Sequence, residues 1–227
     1  MIISEIIQSV AIDIDREWLK RLPCAEDVFA TLLRLIPYEE DQEISVAILG
    51  SGDGFTAALI LAQYSKARIT LIDADEEHLN NSRARFADSA GRVTWLHADF
   101  ARNDPPEKYD LIISVLAIHN LNGIEKRALF RTLYSRVLPN SPFLIVDHVQ
   151  APTEHLQDHY RNIWAGECRK AGLDDDTIKK ARARMADDHC SEVEEQLEWL
   201  RNAGFRNVDT YYKNLMFAVY GGNRPDF

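Results

Sequence analysis

The stretch Val46-Ala-Ile-Leu-Gly50-Ser-Gly52-Asp-Gly54-Phe55 decides the fold: an apolar run breaks into a glycine turn and continues with helical periodicity. Phe55, Ala58, Leu59 and Ala62 fall at i, i+3, i+4 and i+7, one face of a helix. Glycines at a strand-to-helix turn let the backbone approach a ligand closely and aim free N–H groups at it. A dinucleotide fingerprint, G-x-G-x-x-G, would put its third glycine at position 55, where Phe55 stands, so the loop tilts away from NAD. Standing alone, such a turn has a plain alternative as a mere connection.

Outward from this loop, Ile44 to Leu49, Arg68 to Asp73, Val93 to His97, Leu111 to Val115 and Phe143 to Asp147 are apolar on both faces, as buried parallel strands are. Helices between them are marked by Leu79, Ser82 and Phe86, with Asp75 as N-cap, and by Ile124, Ala128, Leu133 and Val137. The alternation is that of an α/β fold. Residues 153 to 203 hold no strand-like run but three helical stretches, punctuated by Gly172 and Ser191. The first carries Leu156, Tyr160, Ile163 and Trp164 on one face, and the second Ile178, Ala181 and Met185. The third opens with a Ser191-x-x-Glu194 capping box and stops at Gly204. Val208 to Tyr212 and Leu215 to Tyr220, separated by Lys213-Asn214, predict a closing antiparallel pair. At the other end Ile2, Ile3, Ile6, Ile7 and Val10 read as a docked amphipathic helix, not a signal peptide. The expectation is one domain over residues 1–227, with an N-terminal helical cap at 1–40 and an inserted helical cover at 153–190.

With 227 residues, 46% hydrophobic and 27% charged, the chain has the composition of a globular protein. Its 26 basic against 36 acidic residues leave a net charge of −10, a field that repels phosphate polyanions and disfavours broad binding to nucleic acid. The longest apolar run, Leu111 to Ile118, interrupted by Ser114, is far below the roughly 18 residues of a membrane span. Cys24, Cys168 and Cys190 are odd in number and form no C-x-x-C pair, which argues against a disulfide framework or structural zinc and places the chain in a reducing cytoplasm.

Ligands of open α/β sheets bind at the strand ends, and two further carboxylates stand there. Asp73 ends the second strand, where a carboxylate can accept both hydroxyls of a ribose. Asp99 follows the third, placed to accept from an adenine amino group while the Phe100 N–H reaches a ring nitrogen. Each also reads as an ordinary loop residue when taken alone. Asp187-Asp-His-Cys190 has metal-capable side chains but no cognate spacing; it reads as a solvated helix-end turn, and no metal is assigned.

Ile48-Leu-Gly-Ser-Gly-Asp-Gly54, Leu71-Ile-Asp73-Ala-Asp75, Ala98-Asp99-Phe100 and Tyr109-Asp-Leu-Ile-Ile-Ser114-Val-Leu-Ala-Ile-His119-Asn-Leu121 together resemble a class I S-adenosylmethionine-dependent methyltransferase, of the small free-standing bacterial kind. The likeness spans residues 44 to 221 and includes Leu133-Tyr-Ser-Arg-Val-Leu-Pro139 and Trp199-Leu-Arg-Asn-Ala-Gly-Phe205. It implies a Rossmann-like seven-stranded sheet of order 3-2-1-4-5-7-6 with strand 7 antiparallel. It also implies S-adenosylmethionine as cofactor, held by Gly50, Ser51, Gly52, Gly54, Asp73, Ala74, Asp99, Phe100 and Ser114. Two departures stand out. Ile48 replaces the usual acidic residue two before the first glycine, and Asn140-Ser141-Pro142 replaces Gly-Gly after Pro139.

At the fourth strand end the Asn/Asp-Pro-Pro-aromatic signature of base and glutamine methyltransferases is missing, as are a magnesium-binding acid over 114–118 and a paired-glutamate loop. The remaining expectation is a small-molecule acceptor, methylated by in-line displacement. His119 and His148 are the candidate acid/base groups; the alternative for each is a structural histidine. Tyr160 and Trp164 are candidates for a substrate wall, with His155, His159 and Tyr212 beside them, against simple core packing. Two other functions stay open: a tRNA-modifying relative, with Lys179, Lys180, Arg182 and Arg184 as its basic face, and a non-catalytic binder of S-adenosyl ligands. The helices of 153–190 either cover the site or form the interface of a homodimer.

Overall fold

The computed structural model describes residues 3–226; Met1, Ile2 and Phe227, and with them the assignment of Ile2 to the first helical face, lie outside it. The chain opens with helices α1 (Ile3–Val10), α2 (Asp13–Leu19) and α3 (Ala25–Arg34). Strand β1 (Ser45–Leu49) then leads through the glycine loop into α4 (Phe55–Gln63), followed by β2 (Arg68–Asp73), α5 (Glu76–Arg85), β3 (Val93–His97) and β4 (Leu111–Val115). After α6 (Gly123–Arg136) and β5 (Pro142–His148) come α7 (Glu154–Lys170), α8 (Asp175–Met185) and α9 (Val193–Ala203), and the chain closes with β6 (Arg206–Asn214) and β7 (Phe217–Asn223).

The strands form one seven-stranded sheet of order β3-β2-β1-β4-β5-β7-β6. The first five are mutually parallel, and β7 runs antiparallel to both β5 and β6. β4 is buried throughout its length, which is why it reads as an uninterrupted apolar run. One face of the sheet packs on α1, α3, α4 and α5 through Ile6, Phe29, Leu59 and Leu79. The other packs on α6 and α9 through Leu129, Phe130, Leu133, Leu197 and Leu200. Asp75 caps α5 as expected, accepting from Glu77 N–H at 2.8 Å.

Three local expectations are corrected. Ile124 is 73% exposed, because α6 turns Lys126, Leu129, Phe130 and Leu133 inward and leaves its first turn in solvent. Ser191 does not cap α9; its hydroxyl accepts from the buried Lys126 ammonium at 3.2 Å, and Glu192 becomes the N-cap without a side-chain bond. The hairpin turns at Leu215-Met216 instead of Lys213-Asn214, with Leu215 at φ 53°. The missing Gly-Gly after Pro139 changes a turn alone: Asn140 adopts φ 61° in its place.

A buried ion pair joins the N-terminal helices to the body. Arg85 at the end of α5 meets Asp15 of α2 with both nitrogens, at 2.7 and 3.0 Å, and donates to Val10 O at 2.7 Å. Their side chains are 6% and 4% exposed. Arg85→Ala leaves the Asp15 carboxylate buried without its counter-charge, so we expect a loss of about 3–5 kcal/mol in urea denaturation. The double variant Arg85→Ala/Asp15→Asn should recover part of that loss.

Candidate functional site

A cavity of about 1410 Å³ opens over the carboxyl ends of the parallel strands. Its floor begins with the glycine loop. Gly50 donates to Ile72 O at 2.8 Å, which ties the loop to β2, and takes φ +64°. A Cβ on Gly50 would lie 2.3 Å from Ala117 Cβ, so glycine is required where the exits of β1 and β4 meet. Gly52, at φ +52°, has open space where its Cβ would be, and its N–H donates to Asp73 Oδ2 at 2.8 Å. Asp75 N–H donates to Asp73 Oδ1 at 2.9 Å. Each Asp73 oxygen keeps a second lone pair, so two hydroxyls can still be accepted. Ser51 Oγ is buried, with no hydrogen-bond partner among the described residues. An open backbone cradle, an orphaned hydroxyl and an oriented carboxylate fit a ligand carrying an amino-acid end and a ribose.

Of the residues assigned to the cofactor, Gly50, Ser51, Gly52, Asp73, Ala74, Asp99 and Phe100 line this cavity. Gly54 and Ser114 do not. Gly54 begins α4 at φ +87°, and a Cβ there would meet the Phe86 ring at 2.6 Å, so its requirement comes from packing. Ser114 is fully buried within the sheet and donates to Leu49 O at 3.2 Å.

Over the opposite wall, α2 brings Trp18, the segment after it Arg21, α7 Trp164, and α8 Arg184 and Met185. Trp18 packs on Phe55 with ring centroids 5.8 Å apart, directly beyond the glycine loop. Trp164 is 1% exposed and donates Nε1–H to Arg21 O at 2.9 Å, joining α7 to the end of the N-terminal helices. Tyr160 is placed elsewhere, under the Lys213 ammonium at 5.5 Å from the ring centre, and Tyr212 donates to Asp27. His155 and His159 are likewise not on the wall. Nor do the cations of α8 stand apart: Lys180 pairs with Asp176, Arg182 donates to Asn162, and Arg184 lines the cavity.

His119 and His148 meet on the lining of the same cavity. His119 lies in a short 3-10 turn, Ile118–Asn120, after β4; His148 ends β5; their rings stack with centroids 5.0 Å apart. His119 Nδ1 is 2.6 Å from Asp147 Oδ1, and His148 N–H donates to the same oxygen at 2.9 Å. Burial opposes a charged His119 ring, but the charge and hydrogen bond of Asp147, with Asp188 behind them, outweigh it and hold its pKa above the ordinary imidazole value. Asp188, from the turn after α8, stands 3.3 Å from His148 Nδ1. Burial works against its charged form, yet the hydrogen bond from His148 and the charge of His119 keep its carboxyl below the usual range.

Beneath this cluster Lys126 is fully buried and donates to His189 O and Ser191 Oγ. Burial pulls its pKa down, and Asp147 partly restores it. Cys190 sits among the same acids; burial, then Asp147 and Asp188, push its thiol up to about 12. Asp147 and Lys126 are the site residues that sequence reasoning missed, and Asp188, expected in a solvated turn, is instead 11% exposed against the two histidines. Lys126 left a signal: it occupies the apolar slot of the Lys126, Leu129, Phe130, Leu133 stripe.

Comparison with known proteins agrees with this geometry. Residues 46–140 match the family described as a methyltransferase domain. Over these residues the chain is similar to methyltransferase domains of the class I S-adenosylmethionine-dependent kind. The chain is 31% identical over 84 residues to a malonyl-[acyl-carrier protein] O-methyltransferase of Acetivibrio thermocellus, a match covering 37% of this chain and 29% of that one. The chain thus spans less than a third of that relative's length. Among solved structures, the apo S-adenosylmethionine-dependent methyltransferase SibL superposes with a TM-score of 0.64 at 19% identity, over 87% of this chain and 55% of that one. Human N-acetylserotonin methyltransferase with its bound cofactor gives 0.61 at 15% identity, over 92% of this chain and 56% of that one. These likenesses are of fold.

Asp73→Asn removes a charge that orients the N–H groups of Gly52 and Asp75. Calorimetry with S-adenosylhomocysteine should show a loss of about 1.5–3 kcal/mol, the scale of charge-assisted hydrogen bonds.

Proposed function

We propose that the protein transfers a methyl group from S-adenosylmethionine to a small-molecule acceptor bound in the cavity. The observation that carries this reading is continuity: the glycine loop with Asp73, and the His119–His148–Asp188 cluster, line one cavity. When bound, the cofactor supplies a methyl already activated on a sulfonium, and the chain's own task is to position an acceptor against it. Holding two reactants in line can supply on the order of 7–11 kcal/mol without a titrating group. Gly50, Ser51 and Gly52 receive the amino-acid end, Asp73 the ribose, and Asp99 with Phe100 the adenine. His119 and His148 meet and activate the acceptor's nucleophilic atom, with Asp147 setting the His119 ring.

The helices of 1–40 and 153–190 act in this reading as a cover. Trp18, Arg21, Trp164 and Met185 turn toward the strand ends, which supports a cover over a dimer interface. The net charge of −10 supports a small acceptor in preference to a nucleic acid. The name of the Acetivibrio relative, an O-methyltransferase, supports oxygen as the atom methylated. Cys24, Cys168 and Cys190 are all free thiols, which supports a reducing cytoplasm. Among the described residues no helix is long and apolar enough to cross a membrane.

Two measurements test the reading. S-adenosylhomocysteine should give heat of binding and NAD none; the reverse result overturns it. Transfer of labelled methyl to a panel of hydroxylated acids, phenols and amines should find an acceptor. With that acceptor His119→Ala should lower kcat/KM by about 10²–10⁴-fold while leaving S-adenosylhomocysteine affinity within about twofold.

A further inference from the structure

His119, His148 and Asp188 come from three elements and converge. Each offers one ligand atom, and these atoms lie within 4.8 Å of one another. His119 Nε2 stands 3.8 Å from Asp188 Oδ1, and His148 Nδ1 stands 3.3 Å from Asp188 Oδ2. The three side chains are 11%, 12% and 11% exposed, facing the cavity.

The far side of the cluster is as informative as the near side. In the neutral tautomer that donates Nδ1–H to the fully buried Asp147, His119 Nε2 carries a lone pair that faces a carboxylate and a second imidazole. In that form three electron-pair donors converge, and either a proton on an imidazole or a metal ion between them satisfies the cluster. A carboxylate behind a histidine, fixing its tautomer and raising its basicity, is the arrangement that stands behind metal-bound imidazoles. Nor is Asp188 a free loop acid. The next residue, His189, donates its N–H to His119 O at 2.8 Å, and Ser191 O accepts from Gln150 N–H at 3.0 Å. Lys126 holds both His189 and Ser191 from below. The turn that carries Asp188 is therefore stitched to both histidine segments, as a preorganised ligand set requires.

We propose that His119 Nε2, His148 Nδ1 and the Asp188 carboxylate bind one divalent first-row transition metal ion, with its remaining positions open to the cavity. The donor separations close onto bonds of about 2.0–2.2 Å with small side-chain rotations. Two neutral imidazoles and one carboxylate suit iron(II), manganese(II), cobalt(II) or zinc(II), and not magnesium or calcium, which prefer all-oxygen shells. The proposal rests on the reading that the acceptor docks at this cluster, and it says how activation occurs. An acceptor hydroxyl that meets the ion loses its proton to solvent at neutral pH, its O–H bond breaking with no change in the metal's oxidation state. The acceptor class is then an oxygen nucleophile.

The test is a titration of chelator-stripped, full-length protein with cobalt(II) and with zinc(II) at neutral pH, followed by calorimetry and, for cobalt, by visible absorption. One ion per chain is expected, with cobalt bands of an N/O site. His148→Ala and Asp188→Asn should lose saturable binding. Asp147→Asn, a positioning change, should weaken binding by about 10–100-fold. Asp187→Asn, at an exposed acid on the same wall, should leave binding unchanged. S-adenosylhomocysteine binding, measured on every variant, reports an intact fold and an intact cofactor site. If parent protein that binds S-adenosylhomocysteine takes up neither ion, or if His148→Ala and Asp188→Asn bind as the parent does, the metal site is refuted and methyl transfer still stands. If S-adenosylhomocysteine fails to bind while cobalt binds as described, the methyl-transfer reading falls and the metal site remains.

Discussion

The site depends on a single close approach. Gly50 and Ala117 pass each other so tightly that even a methyl group on Gly50 would lie 2.3 Å from the Ala117 side chain. The two residues follow the middle strands β1 and β4, whose partners lie on opposite sides: β2 and β3 beyond β1, β5 beyond β4. A crevice at the carboxyl end of such a sheet is the consequence of that reversal of strand order. Pinning its two lips at Gly50 and Ala117 fixes the glycine loop on one side and the His119 turn on the other.

Around that pin the charges are arranged by burial. Asp147 is 1% exposed at the end of a strand whose other residues are mostly apolar, and it is satisfied by His119 and the His148 N–H. Lys126 is buried on the helix below, stabilised by a carbonyl, a hydroxyl and the field of Asp147. Burying an ammonium and a carboxylate costs several kcal/mol per ion, offset only when partners and geometry are held rigidly. A cluster of this kind does little for stability that packed leucines could not do. Together with Asp188 it gives the cavity a charged, titratable end apart from the glycine loop and Asp73.

The cover is attached to the body at points that also touch the site. Arg85 holds Asp15 and Val10 and reaches Asp53 O of the glycine loop at 3.4 Å. Trp18 lies on Phe55, and Trp164 bonds to Arg21 O. Any movement of α2 is therefore felt at both the loop and the α7 wall. The buried face of α8, Ile178 and Ala181, joins the same core cluster as the sheet, so the inserted helices are part of the body.

The sequence by itself determined the sheet, the glycine loop and the Asp73 position, because each is a local pattern: parallel strands buried on both faces cannot be other than apolar runs, and a turn at φ > 0 calls for glycine. The Asp75 cap was legible for the same reason. Ser191 carried an equally good local signal, yet tertiary structure gave its hydroxyl to Lys126, which arrives from another helix, and the cap was lost. Ser114 and Gly54 likewise answer to neighbours across the sheet and to Phe86, and Tyr160 to Lys213. His119 was visible at a strand end; its partners were not. Asp147 looked like the close of a strand and Asp188 like a solvated turn, since no spacing along the chain relates residues 119, 147 and 188. Only folding the α8–α9 turn back over β4 and β5 brings those three groups to one point, where low exposure strengthens every interaction among them.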